Sequence, residues 1–372
     1  MADQKEQKEQ KALEHLRSRI DAVDSEIHSR LNERARLAQQ VAQLKTSNAL
    51  DGASPNFYRP AREAQLLRKI MEHNQGPLTD KVIGRLFREI MSACLEVEQA
   101  VSVVYLGPEA TFTHAAALRH FGKSAKYQPM TGVSEVFRQV ESGAAGFGVV
   151  PIENSTEGMV NHTLDCLIRS PLKICGEVVL PIHHHLLVNR DAREDQIQRI
   201  CSHQQSLAQC RKWLERCWPS TPHAEFYSTA EAARKARLDP TVAAIAGDMA
   251  MEHYDLVALS SCIEDQPGNQ TRFIVISREA ALPSGKDKTS ILVYARNRPG
   301  VLYRTLEPFS VHDINLIRIE SRPDDRGDWS YVFFLDFDGH EQDEPIKKLL
   351  QSVEKTVLEI KSLGSYPRDV FE

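Results

Sequence analysis

The chain has 372 residues, with 46 Lys and Arg against 51 Asp and Glu for a net charge of −5; 41% of residues are hydrophobic and 26% charged. That length suggests two or three domains, and the composition excludes collagen-like, disordered and membrane-embedded classes, while the mild acidity leaves no global electrostatic footprint for nucleic acid. Seven cysteines without a CxxC pair, and an N-terminal MADQKEQKEQ with neither an apolar core nor Arg/Ser-rich character, point to the reducing cytoplasm.

From about residue 11 to 100 the apolar residues recur at steps of three and four, the signature of helix. Gly and Pro in LDGASPNFYRP and NQGPLT interrupt the pattern, so one long helix and two shorter ones are expected. In the first helix, positions 13, 17, 20, 24, 27, 31, 34, 38, 41 and 45 share one seam. Leu13, Ile20, Ile27, Leu31, Ala38 and Val41 suit a buried stripe; Arg17, Asp24, Arg34 and Lys45 do not. A charge there must be paired, kept wet or given a ligand, because unpaired burial is costly. Arg34 and Lys45 are separated by about 16 Å of helix rise, enough to grip opposite ends of a small anion. The third helix repeats the anomaly with Phe87, Met91, Cys94 and Glu98, and the second opens on Arg59-Pro60 followed by Arg62-Glu63. Two readings stay open here: ion pairs across the seam of a helical dimer, or a binding site.

After residue 100 short apolar runs end in Gly, Pro or small polar residues and pass into helical stretches, as in SVVYLGPEATFT, FGVVPIENSTEG, RICSHQQS and VAAIAGDMA. Strands alternating with helices indicate an α/β architecture over 101–280. Polar residues gather where strands give way to helices: Thr111 and Thr113; Glu153, Asn154, Ser155 and Thr156; Ser202, His203 and Gln205; Gly247 and Asp248. Helix N-termini outside the carboxyl ends of strands suit a small anion, although each cluster taken alone reads equally as a helix cap. His183-His184-His185 resembles a metal tract, but alternation along a strand sends neighbours to opposite faces and no carboxylate or Cys spacing completes a site, so no metal is expected. Cys201 and Cys210 read as packing residues. ALPSGKDK, residues 281–288, has the composition of a linker. From 289 to 372, SILVYAR, NLIRIESRP and YVFFLDFDGH read as strands, with helices near 302–311 and 345–360; the order β-α-β-β-α, with room for a final strand, is that of an α+β ferredoxin-like unit.

The runs LRSRIDAVDSEIHSRLNERARLAQQVAQLK, FYRPAREAQLLRKI and GRLFREIMSACLEVE resemble the all-α class of chorismate mutase, in which helices of two chains interlace. The resemblance implies that Arg34, Lys45, Arg59, Glu63, Cys94 and Glu98 line one pocket, with Arg17 supplied by the partner chain. Lys45 would face the ether oxygen of chorismate and Glu63 its hydroxyl. Cys94 and Glu98 stand where a familiar bacterial version has Ser and Gln, and an ionised Glu98 would repel the developing charge, so it is expected to act only when protonated. A Claisen rearrangement needs no nucleophile, only a compact conformer and stabilised charge, which suits such a pocket.

YLGPEATFTHAAALRHF, GVVPIENSTEGMVNHTLD, SHQQSLAQCRKWL and NQTRFIVI are similar to prephenate dehydratase over about half of the chain. That resemblance implies two α/β subdomains, like those of type-2 periplasmic-binding proteins, and a cofactor-free site in the cleft between them. Thr271 would donate to the departing hydroxyl; Glu153, Asn154, Ser202 and Gln209 fall on other catalytic positions, and Thr111, Thr113, Ser155, Thr156, Arg272 and Phe273 on substrate-binding ones. Ala110 replaces a usual Gly and Gln204 a usual Pro; Ala takes positive φ only at a cost. RNRPGVLYRTL and NLIRIESRP resemble an ACT domain, which implies an amino-acid effector, phenylalanine by end-product logic, near Asn297, Gly300, Val301, Leu302, Glu320, Ser321, Arg322 and Pro323. The combined expectation is a cytoplasmic enzyme, at least a homodimer, with mutase (11–100), dehydratase (101–280) and ACT (289–372) domains and no nucleic-acid or membrane partner. The rival reading is an amino-acid-responsive binding protein without catalysis.

Overall fold

The computed structural model describes residues 2–47, 58–296, 298–323 and 331–372. Three helices come first: α1 (Ala2–Ser47), α2 (Pro60–Glu72) and α3 (Asp80–Glu98). Pro60 starts α2, where its missing N–H costs nothing. The second and third helices bury small residues and Leu67 against each other, whereas α1 touches α3 and leaves its apolar stripe bare: Leu13, Ile20 and Ile27 are 54%, 59% and 51% exposed.

The first sheet takes β1 (Ser102–Leu106), β2 (Lys126–Met130), β3 (Phe147–Asn154), the short β4 (Gly158–Met159) and β5 (Lys173–Pro181), with helices α4 (Phe112–Phe121), α5 (Val133–Glu141) and α6 (Asn161–Arg169) between strands. The chain then crosses to a second sheet of β6 (His185–Val188), β7 (Arg199–His203), β8 (His223–Phe226), β9 (Val242–Ala246) and β10 (Val257–Ser260). Its helices are α7 (Gln204–Gln209), α8 (Arg211–Cys217), α9 (Thr229–Leu238) and α10 (Asp248–His253). A second crossing, residues 261–269, returns to β11 (Gln270–Ser277), which inserts antiparallel between β3 and β5 and gives the order β2-β1-β3-β11-β5. The second sheet runs β10-β6-β9-β7-β8. Two sheets joined by two crossings leave a cleft lined by strand ends, where helix N-termini also point.

The third sheet, β13-β14-β12-β15, contains β12 (Asp287–Ala295), β13 (Leu316–Pro323), β14 (Tyr331–Asp338) and β15 (Glu359–Pro367), with α11 (Val301–Val311) and α12 (Glu344–Glu354). Helix α12 stops short of the expected 360 because residues from Glu359 pair with β12 instead. The stretch read as a linker is a packed turn: the Asp287 carboxylate accepts from Ser284 N at 2.8 Å and Ser284 Oγ at 2.6 Å, and Arg68 of α2 donates to the carbonyls of Ser284 and Lys286. The tail beyond β15 crosses the other two units. Asp369 pairs with Arg119 at 3.3 Å, and the Phe371 ring lies under the guanidinium of Arg88, 4.7 Å from the centroid.

Candidate active sites

Helices α1 and α3 bring Arg34 and Lys45 within electrostatic reach of Glu98. Burial pushes the Glu98 carboxyl above its ordinary value, and the two cations oppose this. Lys45, Arg59 and Arg62 line one cavity of about 810 Å³ with Val41, Leu44 and Tyr58. Arg62 was not singled out by resemblance, yet its spacing of three from Arg59 puts both on one side of α2, a signal the sequence carries. Cys94 is buried one turn before Glu98. Arg17 precedes Arg34 by about 25 Å of helix rise, so it lies outside this cluster within one chain.

Glu63 departs from its expected place. It packs half-buried against the buried Arg88 of α3, with Oε1 3.1 Å from Nε, and Arg88 in turn donates to the Arg119 carbonyl at 2.7 Å. Burial raises the Glu63 carboxyl while Arg88 opposes the rise. One residue along a helix turns about 100°, which takes Glu63 from the cavity face shared by Arg59 and Arg62 to the α3 face.

In the cleft the side chains of β3, β11 and α7 form one hydrogen-bonded cluster. Asn154 Nδ2 donates to Thr271 Oγ1 and to Asn269 Oδ1, both at 2.9 Å. The orientation of that amide is set by its oxygen, which accepts from Thr156 N at 3.0 Å, Thr156 Oγ1 at 2.6 Å and Glu157 N at 3.1 Å. Gln209 donates to Thr156 Oγ1 at 3.3 Å, and its oxygen lies 2.9 Å from His184 Nε2. Ser155 Oγ donates to Asn269 Oδ1 and accepts from Gln270 N. Thr271 thus has its oxygen occupied by a donor, and among the described residues its own hydrogen meets no acceptor. Asn269 and His184, both buried, are members that sequence reasoning missed. Asn269 ends the crossing just before β11, two residues ahead of Thr271 in NQTRF, and its place beside that motif was the available signal.

Other expected members go elsewhere, Arg272 and Glu153 by strand alternation, Phe273 after a register shift in β11, and the rest by packing or capping. Arg272, next to Thr271, turns to the opposite face: it bonds Glu177 at 2.8 Å, Asp336 at 2.6 Å and the Tyr366 hydroxyl at 2.7 Å, all buried. Lys288 adds a second cation to Glu177 at 2.7 Å. Burial alone would raise Glu177 and Asp336, but Arg272 and its neighbours outweigh it and hold both carboxyls low. Glu153, opposite Arg272 across the strands, pairs with Arg318 of β13. Phe273 is a core residue, 1% exposed, packed with Tyr105 and Val178. Ser202 is fully buried and donates to the Ile245 carbonyl at 2.6 Å, tying β7 to β9. Thr111 caps α4, accepting from His114 N and donating to the Pro108 carbonyl at 2.9 Å, and Thr113 is buried behind it. Between them Phe112 reaches across the cleft to within contact of Gly247, where a Cβ would collide with the ring.

In the third unit, Gly300 takes the left-handed conformation (φ 77°) that starts α11, followed by Val301 and Leu302. Glu320, Ser321, Arg322 and Pro323 end β13, with Arg322 2.9 Å from Asp165 of α6. Asn297 lies outside the described residues. No helix among those residues is long and apolar enough to cross a membrane.

A chorismate mutase type II model matches residues 16–99, a prephenate dehydratase model residues 103–281 and an ACT domain model residues 289–355. These segments, in this order around a cleft of this topology, define a multidomain enzyme with two catalytic units and an ACT domain. The bifunctional chorismate mutase/prephenate dehydratase of Pseudomonas aeruginosa is 52% identical over 362 residues, covering 97% of this chain and 99% of its own. That of Aquifex aeolicus is 43% identical with the same shares covered. A crystal structure of prephenate dehydratase from Arthrobacter aurescens in complex with L-Phe is 35% identical, with a TM-score of 0.68, over 73% of this chain and 92% of that one. The chain belongs to the bifunctional chorismate mutase/prephenate dehydratase family.

Proposed function

We propose how the two activities are divided over the chain. The mutase site takes Arg34, Lys45, Arg59, Arg62, Cys94 and Glu98 from one chain and Arg17 from a second copy seated on the bare stripe of α1. Three observations support the second copy: the exposed Leu13, Ile20 and Ile27, the 25 Å-scale separation of Arg17 from the cluster, and the stabilisation of roughly 1.5–3 kcal/mol available from fully burying each such side chain. In this pocket the arginines hold the carboxylates of chorismate, Lys45 meets the ether oxygen, and a protonated Glu98 donates as charge develops, yielding prephenate.

Prephenate then loses carbon dioxide and water in the cleft. The electron pair released with carbon dioxide enters the ring and expels the C4 hydroxyl, which Thr271 assists as donor, and phenylpyruvate results. The observation that carries this reading is the Thr271 hydroxyl, loaded on its oxygen by Asn154 and left with its hydrogen to give. Asn154, Gln209, Ser155 and Thr156 hold the donor in place. Feedback by phenylalanine is taken at the ACT unit, around Gly300, Val301, Leu302, Glu320, Ser321, Arg322 and Pro323, which the ACT match and the L-Phe complex of a related dehydratase support in outline. The compartment is the cytoplasm.

The test is a two-activity assay: chorismate loss followed by ultraviolet absorbance, phenylpyruvate formation followed after alkalinisation. Lys45→Met should remove the first activity and leave the turnover of added prephenate intact, and Thr271→Ala should do the reverse. Loss of both activities in either well-folded variant would refute the division.

A further inference from the structure

Three potential metal ligands meet where the chain crosses between the two sheets of the dehydratase unit. His183 lies on the first crossing, between β5 and β6, and Cys262 and Glu264 lie on the second, between β10 and β11. One ligand atom from each lies within 4.8 Å of the others, and His183 Nδ1 is 2.9 Å from Glu264 Oε1. The crossings are held in register by Ile263 N donating to the His184 carbonyl at 2.8 Å. Glu264 is aimed by its other oxygen, which accepts from His184 N at 3.0 Å. The Cys262 N–H donates to His185 Nδ1 at 3.3 Å. Cys262 is exposed and His183 half-exposed, so a hydrated ion can reach the cluster.

We propose that His183, Cys262 and Glu264 form a zinc site that clasps the two crossings together and thereby restrains the dehydratase cleft. The donor set selects the ion. Imidazole, thiolate and carboxylate together suit Zn2+ or Co2+, whereas Mg2+ and Ca2+ take oxygen ligands. Metal bonds of about 2.0–2.3 Å place tetrahedral ligands about 3.5 Å apart, so small side-chain movements close the cluster. Binding releases the thiol proton of Cys262 to solvent, moves the His183 ring proton from Nδ1 to Nε2 through solvent, and replaces the His183–Glu264 hydrogen bond with one bond from each residue to the ion, a fourth position staying open to water. The hydrogen bond from His184 N orients Glu264 from behind, as outer-shell partners do at metal sites. The lever on catalysis is short: His184, beside the first ligand, bonds Gln209, which bonds Thr156 in the cleft cluster. An ion fixing both crossings opposes any change in the angle between the sheets, and the mutase helices lie outside its reach.

The test titrates the full-length protein with Co2+ and then Zn2+. The expected result is one equivalent of Co2+ per chain with a cobalt–thiolate charge-transfer band in the near ultraviolet, bleached by Zn2+. Cys262→Ser should abolish the band, Cys217→Ser, at an exposed cysteine elsewhere, should keep it, and Glu264→Gln should weaken binding about tenfold or more. Saturating Zn2+ should slow the dehydratase of the wild type severalfold, leave its mutase rate unchanged, and leave the dehydratase of Cys262→Ser unaffected. Absence of the band, or its survival in Cys262→Ser, overturns the site. A bound ion that leaves dehydratase turnover unchanged overturns the clasp.

Discussion

The mutase helix and the dehydratase strand place charges by different rules. Along α1 the period of 3.6 stacks Arg17, Arg34 and Lys45 on the same stripe as the exposed Leu13, Ile20 and Ile27, so cations and apolar side chains share one face. Along β11 the period of two separates neighbours, so that Thr271 faces the cleft while Arg272 faces the ACT unit. The same division recurs on β3, where Asn154 belongs to the cleft and Glu153 to Arg318. A strand thus carries site and anchor side by side, whereas in the proposed dimer the helix leaves that separation to a second copy.

The sharpest way to break this comparison is to substitute the two neighbours on β11. Arg272→Met should cost about 3–5 kcal/mol in urea unfolding, because it strips charge from Glu177 and Asp336 in a buried network. The pH dependence follows from the same pair. Both carboxyls are held below their ordinary values, so their contribution is complete above the usual carboxylate range and is lost as pH falls through the lowered folded values. The wild type should therefore lose stability below about pH 4, and Arg272→Met should lose less over the same interval. An unchanged unfolding free energy for Arg272→Met would mean that Lys288 alone satisfies the buried carboxylates.

Thr271→Ala should lower dehydratase kcat by about 10²–10³-fold, the range for removing one positioned donor. Stability should barely move, since Asn154 keeps Asn269 as a partner. If Thr271→Ala instead unfolds the protein while Arg272→Met silences it, the assignment of faces is reversed.

Periodicity was enough to read the three helices, the alternation of strands and helices, and the anomalous cations, because each is a property of one short segment. It did not separate Arg272 and Phe273 from Thr271, since a resemblance transfers a motif whole and only the local pleat decides which side chain meets the cleft. Nor could it place Glu63, whose partner Arg88 sits on another helix and reads as an ordinary surface charge. The metal-like triplet at 183–185 read as incomplete for the same reason: Cys262 and Glu264 come from a crossing some eighty residues away.

On the helical side the comparison is sharpened by Glu98. Burial raises its carboxyl, so a protonated fraction persists to higher pH than for a free glutamate. Mutase kcat should fall as pH rises through that value, by about tenfold for each unit beyond it. Glu98→Gln should flatten the profile, and a profile unchanged by the substitution would remove Glu98 from the reaction.

The smallest effect is expected at Ala110, buried in the loop before α4 with φ of 63°. Relaxing a left-handed alanine to glycine returns about 1–2 kcal/mol. Against this stand about 0.5–1 kcal/mol of added chain entropy in the unfolded state and about 0.8 kcal/mol for the lost buried methyl. The terms nearly cancel, so Ala110→Gly should change stability by less than about 1 kcal/mol by thermal unfolding, which accounts for alanine being tolerated at a position that favours glycine. A stabilisation above about 2 kcal/mol would show more strain than the dihedral alone carries, and a comparable loss would show that the methyl, part of the buried cluster that includes Leu187 and Ala246, dominates the loop.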